Sequence, residues 1–174
     1  DVTGSDDETD CIDCALGKYS AAGSDAAADC LDCGLGKYSA TTPIGAAGCI
    51  DCAAGKYLDV TGSDNVDDCI QCPAGTYINV AGSDDVSDCI SCAAGKWSAP
   101  GSGAAGDCID CGLGKYSATT PIGAAGCIEC PVGTYVAVTG SDAEADCIEC
   151  PAGTYINATG SDDVSDCISC AAGK

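Results

Sequence analysis

Large apolar side chains are sparse in this chain and fall on a short repeat. Each repeat reads Cys-Ile/Leu-x-Cys-x-x-Gly-Lys/Thr-aromatic, then a polar loop usually containing Gly-Ser, then usually Asp before the next Cys. The aromatic positions are Tyr19, Tyr38, Tyr57, Tyr77, Trp97, Tyr116, Tyr135 and Tyr155. Tyr77-Ile78-Asn79-Val80 alternates with the period of a short β-strand, and the Gly-Ser-Asp that follows predicts a turn. Ser-x-x-Glu at Ser5–Glu8 and Ser141–Glu144 has the form of a capping box and predicts one helical turn. Thr-Thr-Pro and Ala-Pro-Gly in other repeats predict loops. The glycine two residues before each aromatic (Gly17, Gly36, Gly55, Gly75, Gly95, Gly114, Gly133, Gly153) is expected to hold a backbone conformation closed to other residues. Nothing supports a long helix or a wide sheet.

The repeat is exact enough to count. Nine Cys-x-x-Cys pairs begin at 11, 30, 49, 69, 89, 108, 127, 147 and 167, in steps of 19, 19, 20 and 20 residues, twice over. Two short repeats of 19 residues thus alternate with two long repeats of 20, in a superperiod of 78. The expected organisation is a partial repeat at 1–10, four-repeat blocks at 11–88 and 89–166, and a partial repeat at 167–174, as a window of a longer array. One repeat offers one Ile or Leu and one aromatic to a core, too little to offset the entropy of ordering it. Repeats must therefore stack and be cross-linked. The expected fold is a small disulfide-rich repeat protein, an elongated solenoid-like rod of short strands and turns.

Composition narrows the functions. The 174 residues include 18 Cys, 27 acids and six Lys, for a net charge of −21, with no Arg or His. Such a chain does not neutralise nucleic-acid phosphates. It has no run of 18 apolar residues to span a membrane, and it lacks the commonest general base, so no enzymatic activity is expected. Cysteine at this density marks a disulfide scaffold of a secreted or cell-surface protein.

Three chemistries compete for the cysteines. Structural bridges from the second Cys of one pair to the first of the next would be Cys14–Cys30, Cys33–Cys49, Cys52–Cys69, Cys72–Cys89, Cys92–Cys108, Cys111–Cys127, Cys130–Cys147 and Cys150–Cys167. Each would close a loop worth about 3 kcal/mol in the chain-entropy model, and Cys11 and Cys170 would pair outside the window. Bridging within each pair instead closes a cramped loop and leaves repeats untied; connectivity stays open on sequence alone. Zinc is the second chemistry, since successive pairs match four-cysteine spacing, although nine pairs do not divide into four-ligand sites. Redox catalysis is the third, opposed by flanking acids such as Asp10, Asp13, Asp29 and Asp32, which disfavour a thiolate.

Cys72-Pro73-Ala74-Gly75-Thr76-Tyr77 and Cys150-Pro151-Ala152-Gly153-Thr154-Tyr155, each followed by Gly-Ser and a later Cys-x-x-Cys, resemble the ephrin-receptor-like cysteine-rich repeat. They are also similar to the first, singly bridged module of tumour-necrosis-factor-receptor cysteine-rich domains. The resemblance covers every repeat, with Ala or Gly replacing Pro where Lys replaces Thr. It implies the pairing of successive repeats given above and an elongated extracellular module. Such modules serve as stalks, spacers and ligand-binding ectodomains alike.

The acids gather before each cysteine pair. A solvated face is the plain reading; Ca²⁺ held by oxygen ligands is the sharper one, with Asp64, Asp67, Asp84, Asp85, Asp162 and Asp163 as candidates. No Asp-x-Asp-x-Asp-Gly loop is present, and no other cofactor is expected. The lysines at 18, 37, 56, 96 and 115 are expected to cover the neighbouring ring or pair with an Asp of an adjacent repeat. Asn157-Ala158-Thr159 is an N-glycosylation sequon, and Thr41, Thr42, Thr119 and Thr120 beside Pro are candidate O-glycan acceptors. The function expected is a structural extracellular protein, a disulfide-tied rod that self-assembles into a surface fibre, appendage or matrix and carries glycans. The alternative is the stalk or ligand-binding ectodomain of a receptor, and the third is a zinc-binding protein.

Overall fold

The computed structural model describes residues 13–21, 23, 24, 26–40, 48–118 and 126–172. The Ser5–Glu8 box, Cys11 and the candidate threonines Thr41, Thr42, Thr119 and Thr120 lie outside them. The chain forms two compact parts, Asp1–Cys72 with Ile78–Cys89, and Pro73–Tyr77 with Ile90–Lys174.

Both parts are built from one hairpin, a pair of two-residue antiparallel strands. In the first part Lys18–Tyr19 pairs with Leu31–Asp32, Lys37–Tyr38 with Ile50–Asp51, and Lys56–Tyr57 with Ile70–Gln71. In the second, Thr76–Tyr77 pairs with Ile90–Ser91, Lys96–Trp97 with Ile109–Asp110, and Lys115–Tyr116 with Ile128–Glu129. Thr134–Tyr135 with Ile148–Glu149 and Thr154–Tyr155 with Ile168–Ser169 complete it. The expected four-residue strand at Tyr77–Val80 is thus shorter: Ile78 turns inward to full burial, while Asn79 and Val80 are exposed. Strands occur in the short repeats as well as the long.

A bridge closes each hairpin. Eight disulfides join the second Cys of one pair to the first of the next, from Cys14–Cys30 to Cys150–Cys167, with Cα–Cα distances of 5.6 to 5.8 Å. Beyond each hairpin the repeats are tied by main-chain hydrogen bonds. The amide of Gly36 donates to the Leu58 carbonyl at 2.8 Å, Leu58 N to Ser83 O at 3.1 Å, and Gly82 N back to Cys52 O at 2.8 Å. In the second part Gly114 N donates to Val136 O, Val136 N to Ser161 O, and Gly160 N to Cys130 O. Tyr57 also makes a parallel bridge to Ser83, and Tyr135 to Ser161.

This close stacking explains the glycine before the aromatic at Gly17, Gly36, Gly95 and Gly114, while Gly133 and Gly153, where a Cβ would meet nothing within 4 Å, answer to their positive φ alone. Gly36 has φ +72°, and a Cβ on it would sit 2.1 Å from the carbonyl oxygen of Gly82. Backbone conformation and the neighbour's carbonyl both demand the missing side chain.

The core departs from the expectation. The Ile or Leu after each first Cys is exposed: Leu31, Ile50, Ile70, Ile90, Ile109, Ile128, Ile148 and Ile168 lie at 43–56%. What is buried is the second half-cystine of the pair, with Cys33, Cys52, Cys72, Cys111 and Cys130 at 0%, and the residue after the aromatic. That residue is Ser39, Ser98 or Ser117 in short repeats and Leu58, Ile78, Val136 or Ile156 in long ones, all buried, while Ser20 in the first short repeat is exposed. Leu58 packs on the Cys52–Cys69 bridge and Tyr38, and Ile78 on Cys72–Cys89 and Tyr57. Against the short repeats that carry Gly-Ser, the extra residue of a long repeat falls between this position and the turn: four steps separate Ile78 from Gly82, three separate Ser98 from Gly101. A longer arc clears a larger buried side chain.

Candidate functional site

The surface available for recognition follows from hairpin geometry. Residues directly opposite share a face, and successive residues alternate. One face of each hairpin therefore carries the aromatic beside the exposed Ile or Leu, as in Tyr19 opposite Leu31. The other carries Lys opposite an acid in four hairpins, Lys56 opposite Gln71 in a fifth, and Thr opposite Ser or Glu in the remaining three.

Four of those polar pairs are ion pairs. Lys18 meets Asp32 at 2.5 Å, Lys96 meets Asp110 at 2.5 Å, Lys37 meets Asp51, and Lys115 meets Glu129 at 3.6 Å. Pairing with an adjacent repeat, rather than covering the ring, is what places these lysines. Where Pro follows the Cys, Thr takes the lysine position, and its hydroxyl donates to the Pro carbonyl: Thr76 to Pro73 at 2.7 Å, Thr134 to Pro131 at 2.8 Å. Because the pairs are about half exposed, solvent screens them and they add little to stability.

The Asp before most cysteine pairs has a local task that sequence reading missed. It is the last residue of a single 3₁₀ turn, such as Val86–Asp88, Ala105–Asp107 or Val164–Asp166, and its carboxylate caps the start of that turn. Asp107 accepts from the amides of Gly103 and Ala104, both at 2.9 Å, and Asp88 from Asp84 and Asp85. The expected box at Ser141–Glu144 is displaced accordingly. The turn is Glu144–Asp146, its amide acceptor is Asp146 rather than Glu144, and Ser141 is buried against Tyr116. The signal was an Asp at one fixed place before Cys, competing with a chance Ser-x-x-Glu.

The Ca²⁺ candidates sit in these exposed turns. The Asp85 and Asp163 carboxylates accept from the Ser87 and Ser165 amides at 2.7 Å, and that bond, with a smaller contribution from the serine side chain, lowers both below the ordinary aspartate range. The amides of Asp84 and Asp162 donate to Asp88 and Asp166; Asp64 and Asp67 are exposed. Among the described residues, no group of three or more His, Cys, Asp or Glu gathers so as to hold a metal ion. Cys170 is exposed, and no described residue bridges it.

The sequon lies on an exposed arc between two fixed points. Ile156 is buried, and Gly160 N donates to Cys130 O at 2.9 Å, while Asn157, Ala158 and Thr159 face solvent. The Thr159 hydroxyl donates to Glu129 Oε2 at 2.6 Å, and this bond, then the Lys115 ammonium, holds Glu129 below the usual glutamate range.

The family model described as tyrosine-protein kinase ephrin type A/B receptor-like matches residues 17–69, 36–89, 98–147 and 114–167, more than four fifths of the chain. The chain belongs to the ephrin-receptor-like family. Each match covers more than two of the 19- or 20-residue repeats, as a packing unit that reaches from Gly36 to Gly82 requires. No curated protein matches the chain. Ephrin-receptor-like repeats are a non-catalytic, extracellular, disulfide-rich type of module. Among the described residues no helix is long and apolar enough to cross a membrane.

Proposed function

We propose that this chain is a structural element of the cell exterior, an ephrin-receptor-like array that self-assembles as part of a fibre, appendage or matrix. The observation that carries the reading is the sameness of the joints. One bridge and the same main-chain bonds recur from repeat to repeat, with the amide of the turn glycine finding the buried residue of the next repeat each time. Such joints propagate without a natural stop and transmit load through covalent bonds. Near-identical hairpins also offer little surface variety for one specific ligand. In negative-stain microscopy the purified chain should appear as rods or filaments; discrete compact particles would overturn the proposal.

The family match favours a second reading, the stalk of a cell-surface receptor. It predicts monomeric rods that stay single at high concentration, where the first predicts lateral or end-to-end association. Sedimentation velocity over a concentration series separates the two.

A further inference from the structure

The sequon arc joins two observations: an acceptor asparagine, and a hydroxyl already engaged. Transfer of a glycan to asparagine requires the hydroxyl of the third sequon residue to be free for the transferase, on chain that adopts an extended shape. In the folded repeat the hydroxyl is engaged and the chain bends through residues 158–160. The Thr159 hydroxyl is given to Glu129, 30 residues earlier. The arc is pinned at one end by buried Ile156 and at the other by Gly160 N on Cys130 O and Val136 N on Ser161 O. The disulfide Cys150–Cys167 closes the loop around it. Yet Asn157 itself faces solvent, so a glycan on its side chain fits the folded repeat without displacing anything buried.

Glu129 is the acid suited to this contact. In the other ion-paired hairpins the equivalent residue is aspartate, held close by its lysine, as Asp110 is by Lys96 at 2.5 Å. Glu129 has one more methylene, keeps its lysine at a looser 3.6 Å, and lies over Gly160, where a Cβ would come 3.2 Å from its carboxyl carbon. That reach brings its second oxygen to Thr159.

We infer that Asn157 carries an asparagine-linked glycan added while its repeat is still open, and that Glu129 then takes the sequon hydroxyl as the repeat closes. The co-reactant is a lipid-linked glycosyl diphosphate of the secretory pathway. Asn157 Nδ2 forms a bond to the anomeric carbon, the bond from that carbon to the diphosphate oxygen breaks, the lipid diphosphate leaves, and the amide proton passes to base. Nothing is oxidised or reduced. The inference rests on the extracellular reading, since only that route supplies the donor.

The chain contains its own comparison. Asn79-Val80-Ala81 occupies the same exposed arc one superperiod earlier and lacks only the hydroxyl. The test expresses the full chain behind a secretion leader in a eukaryotic host and reads intact mass before and after peptide-N-glycosidase. One glycan at Asn157 is expected, lost in Asn157→Gln and Thr159→Ala, with a second gained at Asn79 in Ala81→Thr. Order of events is read in vitro: unglycosylated chain, either bridged or reduced and alkylated, is offered to oligosaccharyltransferase with lipid-linked donor. The open chain should be modified at least roughly tenfold faster, because the pinned arc must first unfold locally. Equal rates would overturn the order. A secreted, fully bridged chain bare at Asn157 would overturn the site and leave the extracellular reading standing. A chain glycosylated at Asn157 yet carrying free thiols would support the site and count against a disulfide-tied exterior role.

Discussion

Replacing Ile78 by alanine tests the idea that each long repeat is organised around one buried aliphatic side chain. Ile78 is 1% exposed and packs on Cys72, Cys89 and Tyr57. Bridged half-cystines and a turn pinned by main-chain bonds leave little room to collapse, so the loss falls in the usual range of about 2–5 kcal/mol for such a truncation. In an array the cost appears as local opening rather than a global transition. The reporter is the amide of Gly55, which donates to the Ile78 carbonyl at 2.9 Å. At roughly 1.4 kcal/mol per tenfold, its hydrogen exchange should accelerate by about 30-fold to about 4,000-fold. The amide of Gly17, bonded to Ser39, should not respond. Ile78→Ser should be worse, because its hydroxyl enters an arc cut for an aliphatic chain. Exchanging Ile78–Ala81 for the Ser-Ala-Pro of residues 98–100 should recover much of the loss, since Ser98 Oγ there donates to Thr76 O at 2.9 Å. Gly55 exchange changed by less than about threefold in Ile78→Ala, or a uniform change along the chain, would refute the reasoning.

Three further outcomes follow from the geometry. Gly36→Ala places a Cβ 2.1 Å from the Gly82 carbonyl oxygen at φ +72°, so secreted yield should collapse and free thiols should rise, whereas Gly34→Ala, with nothing within 4 Å, should match wild type. Acid should loosen the caps at Asp85 and Asp163: their carboxyls are depressed when folded, so their contribution is whole above the unfolded value of about 4 and is lost as pH falls through the lower folded value. Thermal melts should therefore decline below about pH 4, less so in Asp85→Asn with Asp163→Asn, because Asn65 already performs the same capping of an amide at 2.9 Å. A non-reducing peptide map of native material should recover peptides linked from each repeat to the next; peptides linked within single Cys-x-x-Cys pairs would overturn the ladder.

What could be read from the chain beforehand was whatever a spacing constrains. A glycine at one fixed offset before the aromatic announces a backbone demand, and every one of those eight glycines has positive φ. The paired lysines were legible for a similar reason, since they hold one place opposite an acid. The side a residue faces was not legible. With strands only two residues long, no run of alternation exists to reveal which face is inward, so the Ile or Leu after each first Cys looked like core and is half exposed. The true core position was hidden by its chemistry, because Ser in half of the repeats masks a site that Leu, Ile or Val fills in the rest.

That alternation also gives the superperiod a physical cause. Repeat length and the residue after the aromatic change together: the short repeats carry Ser, buried at 39, 98 and 117 and exposed at 20, and the long ones carry Leu, Ile or Val, buried at 58, 78, 136 and 156. Two stacking bonds recur in both types: the amide of the glycine before the aromatic donates to the residue after the next aromatic, and the amide of the second half-cystine donates to the preceding such glycine. The bonds to Cys33, Cys52, Cys111 and Cys130, by contrast, are donated by the Gly-Ser turns of long repeats. What is not interchangeable is the arc with its side chain, because an aliphatic group under a short arc would be overpacked and a serine under a long one would leave a void. Each repeat must therefore vary as a matched set of arc and buried residue, while the bridge and the turn glycines stay constant. A chain built this way can lengthen by duplicating whole repeats and diversify its exposed faces, all without redesigning the sulfur-lined core that holds it.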